Sequence, residues 1–235
     1  MTMLDRTPFE RVHAYFAGDA ALLAEIALRS YYGAGYHYTG AAFDRWAIAG
    51  SSPNRFTTDD VVAVSMLSVA VPPRAALALL DDPHIAALLE SVECGETLWS
   101  KPSLLDDNGP AEQLWYAVRA LDDVGPVTTS KLLAAKRPGL VPIYDQHVAS
   151  ALGLGTQAWR FWQQVAKDPG AAQLRRSIDG VALSAGVPQG VSTLRVIDVV
   201  VWMCAYGWTQ HDSEKCGLGC ELERHFSRAR SHDDK

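Results

Sequence analysis

The sequence predicts an all-α protein. Three observations carry that prediction. Apolar residues recur at three- and four-residue spacing along most of the chain. Proline, glycine, Thr/Ser and Asp punctuate those segments where helices begin and end. Between Leu121 and Leu152, LDDVGPVTTSKLLAAKRPGLVPIYDQHVASAL holds a sharp turn, a helix, a loop and an extended run that leads onto a further helix.

Taken in order, Phe9 to Leu28 predicts one or two helices with a stripe of Leu22, Leu23, Ile26 and Ala27. SYYGAGYHYTG, residues 30–40, is a loop, because its three glycines weaken a helix. Its tyrosines and His37 fit either packing against the core or stacking on a ligand. Phe43, Trp46 and Ala47 suggest a short helix ended by Gly50-Ser51-Ser52-Pro53. Thr57 or Thr58 can cap the next, with Asp59 and Asp60 in its first turn. Val61 to Val69 is apolar enough to be nearly buried; helix is preferred over strand because of that cap.

Pro72-Pro73 breaks the chain before a helix from Arg74 to Leu80, and Asp81-Asp82-Pro83 before one from His84 to Glu93. Residues 94–109 are irregular, with Trp99 as an anchor and Lys101 as a solvated cation. Later helices are expected over Thr156 to Val165, Ala171 to Ala185 and Leu194 to Tyr206, with Arg175 and Arg176 facing outward. The last is so rich in Val and Ile, with Trp202 and Met203, that it should be buried on most sides.

The hairpin is the informative stretch. Ala111 to Leu121 forms its first helix, with Leu114, Ala117, Val118 and Leu121 on one face. Gly125 is expected to supply a positive φ in the turn, and Pro126 suits the first position of the second helix. The first N–H groups of that helix lack intrahelical acceptors, so with the helix dipole they can hold a phosphate oxygen. Arg137-Pro138-Gly139 stops the helix, and Val141 to Tyr144 extends to Asp145, which can cap the helix that follows.

LDDVGPVTT and IYDQHV resemble the helix-hairpin-helix and catalytic loop of the base-excision DNA glycosylases, whose pattern is Leu-Pro-Gly-Val-Gly-x-Lys-Thr-Ala followed by Val-Asp-x-His-Val. In that superfamily the aspartate lies 18 residues after the lyase lysine position, and Asp145 lies 18 after Val127. The match covers roughly Leu114 to Gly153. The chain as a whole also resembles an uncharacterised family of actinobacterial proteins. The glycosylase resemblance implies a two-lobed helical fold. Residues 1–54 would pack with the C-terminal segment, 55–153 would form a helical lobe with the hairpin at 111–136, and 154–210 would supply C-terminal helices. A polar tail, 211–235, remains.

The resemblance also implies a site. Asp145 is the catalytic carboxylate, stabilising positive charge on the sugar and orienting water. Val124, Gly125, Val127, Thr128 and Lys131 contact DNA, with Lys136 as a further helper. Two departures shape the expectation. Val127 stands where lyases carry lysine, so no Schiff-base amine is present and the activity implied is base removal alone. Asp123 replaces a glycine that lets the backbone approach a phosphate closely, which weakens the grip.

Composition sets bounds. The net charge is -6, whereas dedicated nucleic-acid binders are more often basic. Residues 1–100 hold 6 basic and 12 acidic side chains, and residues 101–200 hold 10 and 9, so the hairpin region is balanced. The expected partner is double-stranded DNA, bound weakly and without sequence specificity. The start, MTMLDRTPFERVHAYF, is too polar for a signal peptide, and no apolar run reaches the length of a membrane span, so the cytoplasm is the expected location. No cofactor is expected: Cys204, Cys216 and Cys220 do not reproduce the superfamily's iron–sulfur spacing. His211, Cys216, Cys220 and His225 are the right atoms for zinc but the wrong spacing for a finger, and no metal site is expected there. The alternative to a DNA repair hydrolase is a non-enzymatic helical module that binds DNA or a protein.

Overall fold

Proline and side-chain caps start the helices of this protein, whose computed structural model describes residues 5–33, 38–49, 52–155 and 157–207. Twelve α-helices are described: α1 Pro8–His13, α2 Asp19–Tyr32, α3 Gly40–Ala49, α4 Thr58–Ser65, α5 Pro73–Asp81, α6 Pro83–Ser91, α7 Pro110–Arg119, α8 Pro126–Lys136, α9 Gln146–Leu152, α10 Ala158–Lys167, α11 Ala171–Ala185 and α12 Thr193–Trp202. A short 3-10 turn, Pro102–Leu105, precedes α7, and a π-turn, Met203–Gly207, ends α12. No strand occurs among the described residues, and no described helix is long and apolar enough to cross a membrane.

The caps explain the boundaries. Thr7 and Glu10 form a reciprocal capping box on α1, and Thr57 and Asp60 form one on α4. Asp82 caps α6 and Ser192 caps α12. Pro opens α1, α5, α6, α7 and α8, where its missing N–H costs nothing. Gly18, at φ 54, separates α1 from α2.

Two segments differ from expectation. Leu22 is 61% exposed; the buried face of α2 is Ala20, Leu23, Ala24, Ala27, Leu28 and Tyr31. The run from Val61 to Val69 stops being helical at Ser65, and Ser68 takes a left-handed φ of 60. Only Ala63 and Val64 of its apolar residues are buried. Lys101 is not simply solvated, for its Nζ lies 3.0 Å from the Glu93 carboxylate.

One hydrophobic cluster runs from Val12 through Val118 and Leu133 to Met203. Helix α2 packs on α11 and α12, and α1 on α9 and α10. Helices α3, α4 and α8 pack on one another, as do α6 with α7 and α7 with α8. Helix α9 also touches α12.

Buried cations tie distant segments together. Arg137 is 2% exposed. Its Nε donates to the Val92 carbonyl (2.7 Å), Nη1 to the Pro53 carbonyl (2.6 Å), and Nη2 to the Leu89 carbonyl (2.6 Å) and Asn54 Oδ1 (2.9 Å). It thus closes the end of α6 onto the loop before α4. Lys136 is paired with Asp60 and donates to the Ser52 carbonyl at 2.9 Å.

Candidate functional site

The hairpin is α7, a six-residue turn over 120–125 that contains Asp123, and α8. Ala111, Leu114 and Val118 bury one face of α7. Val124 is the plug of the turn, fully buried, with its N–H on the Leu121 carbonyl at 3.1 Å. Arg119 Nη1 donates to the Val124 carbonyl and holds the turn closed. The expected positive φ at Gly125 is not found: Gly125 has φ -88 and ψ 172. The left-handed residue is Asp123, at φ 56. Aspartate is one of the few residues with a side chain that tolerates this region.

Gly125 serves a different purpose. A Cβ built on it would meet nothing within 4 Å, so this backbone faces open space. It is the N-cap of α8 and provides no side-chain cap. Pro126 has no N–H, and Thr129 Oγ1 turns back to the Gly125 carbonyl at 3.0 Å. The amides of Val127 and Thr128, both half-buried, therefore begin the helix without intrahelical acceptors. Asp122 and Asp123 stand exposed beside them, with Arg74 Nη1 3.9 Å from Asp122.

The lysines expected to reach DNA are turned inward. Lys131 is 6% exposed and its Nζ donates to the Leu67 carbonyl at 2.8 Å. Burial pushes its pKa down. Lys136 sits in the Asp60 pair already described, over the Phe56 ring. Neither ammonium reaches the surface at which a phosphate would sit, because α8 buries everything from Thr129 to Lys136.

Asp145 follows from the local sequence. Val141 and Ile143 are buried, which draws the chain out as an extended run. Ser130 ties that run to α8: its Oγ donates to the Val127 carbonyl (2.9 Å) and accepts the Tyr144 N–H (2.9 Å). Asp145 then caps α9, with Oδ1 accepting the His147 N–H at 2.9 Å. No described group donates to Oδ2. The carboxylate is partly exposed and acts electrostatically on Lys131 and Asp198.

Sequence reasoning missed the charged centre behind it. Arg195 and Asp198 lie on α12 among Val and Ile, both buried. Arg195 Nε bridges both oxygens of Asp44, at 3.0 and 3.1 Å. Its Nη1 pairs with Asp198 Oδ2, and its Nη2 donates to Tyr31 Oη (2.7 Å) and the Gly40 carbonyl (3.2 Å). Its guanidinium stacks between Tyr31 and Phe43, 5.4 and 5.5 Å from the ring centroids. Tyr32 Oη donates to Asp44 Oδ2 at 2.9 Å. A Cβ on Gly40 would fall on the Tyr31 hydroxyl, so glycine is required where α3 begins.

Two carboxylates thus share one guanidinium, and Asp198 Oδ1 is buried with no partner. Burial raises the Asp198 pKa to about 6, against the pull of Arg195. Burial likewise raises that of Asp44. The available signal was the spacing: two opposite charges three residues apart in an otherwise apolar helix share a face.

A cleft of about 570 Å³ opens beside Pro142, Ile143 and Tyr144. Trp115 and Tyr116 of α7, Tyr144, and Trp159 and Trp162 of α10 line it. Asp145 lines neither this cleft nor the small cavity beside Asp198. Of the loop expected at 30–40, Ser30 to Tyr32 instead end α2 and Gly40 begins α3; Tyr31 and Tyr38 stack at 5.3 Å, which is packing, and Tyr36 and His37 lie outside the described residues. His211, Cys216, Cys220 and His225 lie outside them too.

In comparison with known proteins, residues 24–205 match the DUF6308 family, described as a family of unknown function. No curated protein and no solved structure matches the chain.

Proposed function

We propose that this chain, which belongs to the DUF6308 family, is a DNA glycosylase-like protein that removes a damaged base by hydrolysis. The observation that carries this reading is the setting of Asp145. It is held at a helix start, half-exposed, with one oxygen committed to the cap and the other free of described donors. The hairpin that precedes it offers bare backbone at Gly125 and the uncapped amides of Val127 and Thr128. In this reading those amides hold a phosphate of double-stranded DNA. The packing of α1 on α9 and α10 and of α2 on α11 and α12, with α3, α4 and α8 packed on one another and α7 on α8, suits the two-lobed arrangement.

A nucleotide rotated out of the duplex would present its sugar to Asp145. The C–N glycosidic bond breaks with positive charge growing on the sugar, and the ionised carboxylate stabilises that charge. Asp145 then orients a water whose oxygen bonds to the sugar carbon, and the base departs with a proton. Val127 supplies no amine, so the strand is left intact. The reading calls for no cofactor.

The test is a panel of lesion-bearing duplexes with wild type and Asp145→Asn. Asparagine still caps, so stability should fall by less than about 1 kcal/mol. Loss of the charge should lower base release by orders of magnitude. A variant that keeps its activity per folded molecule refutes the catalytic role.

A second reading has its own support. Exposed Asp122 and Asp123, with Lys131 and Lys136 buried, leave the hairpin rim without a free lysine. That favours a non-enzymatic module that binds DNA weakly or binds another protein. Duplex binding with no base released from any lesion would select it.

A further inference from the structure

We propose that the aromatic cleft between α7 and α10 binds a quaternary-ammonium group. This site is separate from Asp145 and does not depend on the hairpin reading.

Trp115 and Trp159 meet edge to face, with centroids 5.4 Å apart and planes at 72°, so they form two walls of a corner. Tyr144 adds a third, half-buried ring. Tyr116 is 62% exposed, which leaves a large aromatic surface in water at the cleft's mouth. Ring faces carry negative charge density, and several converging rings attract a cation whose methyl groups also fill apolar space.

The charges agree. Asp107 and Arg160 at the rim pair with each other at 2.5 Å. Glu112 has no cationic partner among the described residues. One of its oxygens accepts the Asn108 N–H, and the other remains for a ligand. An anion would meet this carboxylate with no unpaired cation to offset it. A bare ammonium would have to give up strong hydration, whereas a trimethylammonium head is weakly hydrated and suits ring faces. The cleft volume of about 570 Å³ exceeds what that head needs, so the ligand's remainder can run along the groove.

The experiment is isothermal titration calorimetry of the full chain with tetramethylammonium, choline and a trimethyl-lysine peptide, set against the neutral choline isostere 3,3-dimethylbutanol. Saturable binding of the cations is expected, with the isostere weaker by about tenfold or more. Trp159→Phe, which keeps an aromatic core contact, and Glu112→Gln, which keeps the Asn108 hydrogen bond, should each weaken choline binding severalfold. Choline binding more tightly than the peptide identifies a free solute as the source; the reverse order identifies a methylated protein. No binding by any of the three cations overturns the proposal. So does equal binding of the isostere, or Glu112→Gln with unchanged affinity.

Discussion

Replacing Asp198 by asparagine should change how the protein's stability depends on pH. In the folded chain the Asp198 carboxyl is raised to about 6, because burial outweighs the share of Arg195 it receives. In the unfolded chain an aspartate titrates near ~3.9. The folded state therefore binds the proton more tightly. Its contribution is fully present below about pH 4 and is lost as pH rises through about 6. The difference of about 2 units corresponds to about 3 kcal/mol, an upper bound on what ionised Asp198 costs at neutral pH.

Asparagine keeps an oxygen for Arg195 Nη1 and cannot titrate. Urea unfolding of both proteins between about pH 4 and 7.5 reads this group together with the effect of its charge on Asp44, which shares Arg195 with it. The variant's stability minus that of the wild type should rise by up to about 3 kcal/mol across the range. Parallel curves would show that Asp198 does not titrate in this window. A difference of opposite slope would show that Arg195 holds the carboxylate ionised, and the reasoning from burial would fail.

Further outcomes are expected at two positions. Asp123→Gly removes a negative charge and a side chain from a left-handed position, so it should tighten duplex binding at low salt without loss of stability. Asp123→Val should cost about 1–2 kcal/mol, from the same φ of 56; unchanged duplex affinity in the glycine variant would argue that the hairpin does not face DNA. Arg137→Ala should cost at least about 3 kcal/mol in urea unfolding, since it leaves the buried carbonyls of Leu89 and Val92, and the partly buried one of Pro53, without their charged donor; a loss under about 1 kcal/mol would mean that the loop and α6 hold each other unaided.

The helical class and the hairpin were legible because their signals are local. Pro126, the Arg137-Pro138-Gly139 stop and the Asp145 cap act within a turn of themselves, and α7, α8 and α9 begin within a residue or two of where the sequence puts them. Long-range burial was not legible. Lys131 reads as a surface cation until Leu67, 64 residues away, takes its ammonium. Arg195 has Asp198 one turn on, but its other carboxylate, Asp44, lies 151 residues away. Periodicity tells which face is apolar, and says nothing of which charges are carried inward with a partner. Local conformation failed once as well. Glycine was the natural choice for the left-handed position in the turn, yet Asp123 fills it, and Gly125 is extended with open space beside it.

The Ser130 hydroxyl makes the hairpin and the carboxylate a single mechanical part. It takes the Tyr144 N–H while giving its own hydrogen to the first turn of α8. Asp145 is one residue further on. One helix turn and one side chain therefore join Gly125 to Asp145. If a phosphate sits at the start of α8, the same hydroxyl refers its position to the backbone that carries Asp145, and the two would shift together. A chain that loosened this hydroxyl, as in Ser130→Ala, would keep both parts and lose their alignment.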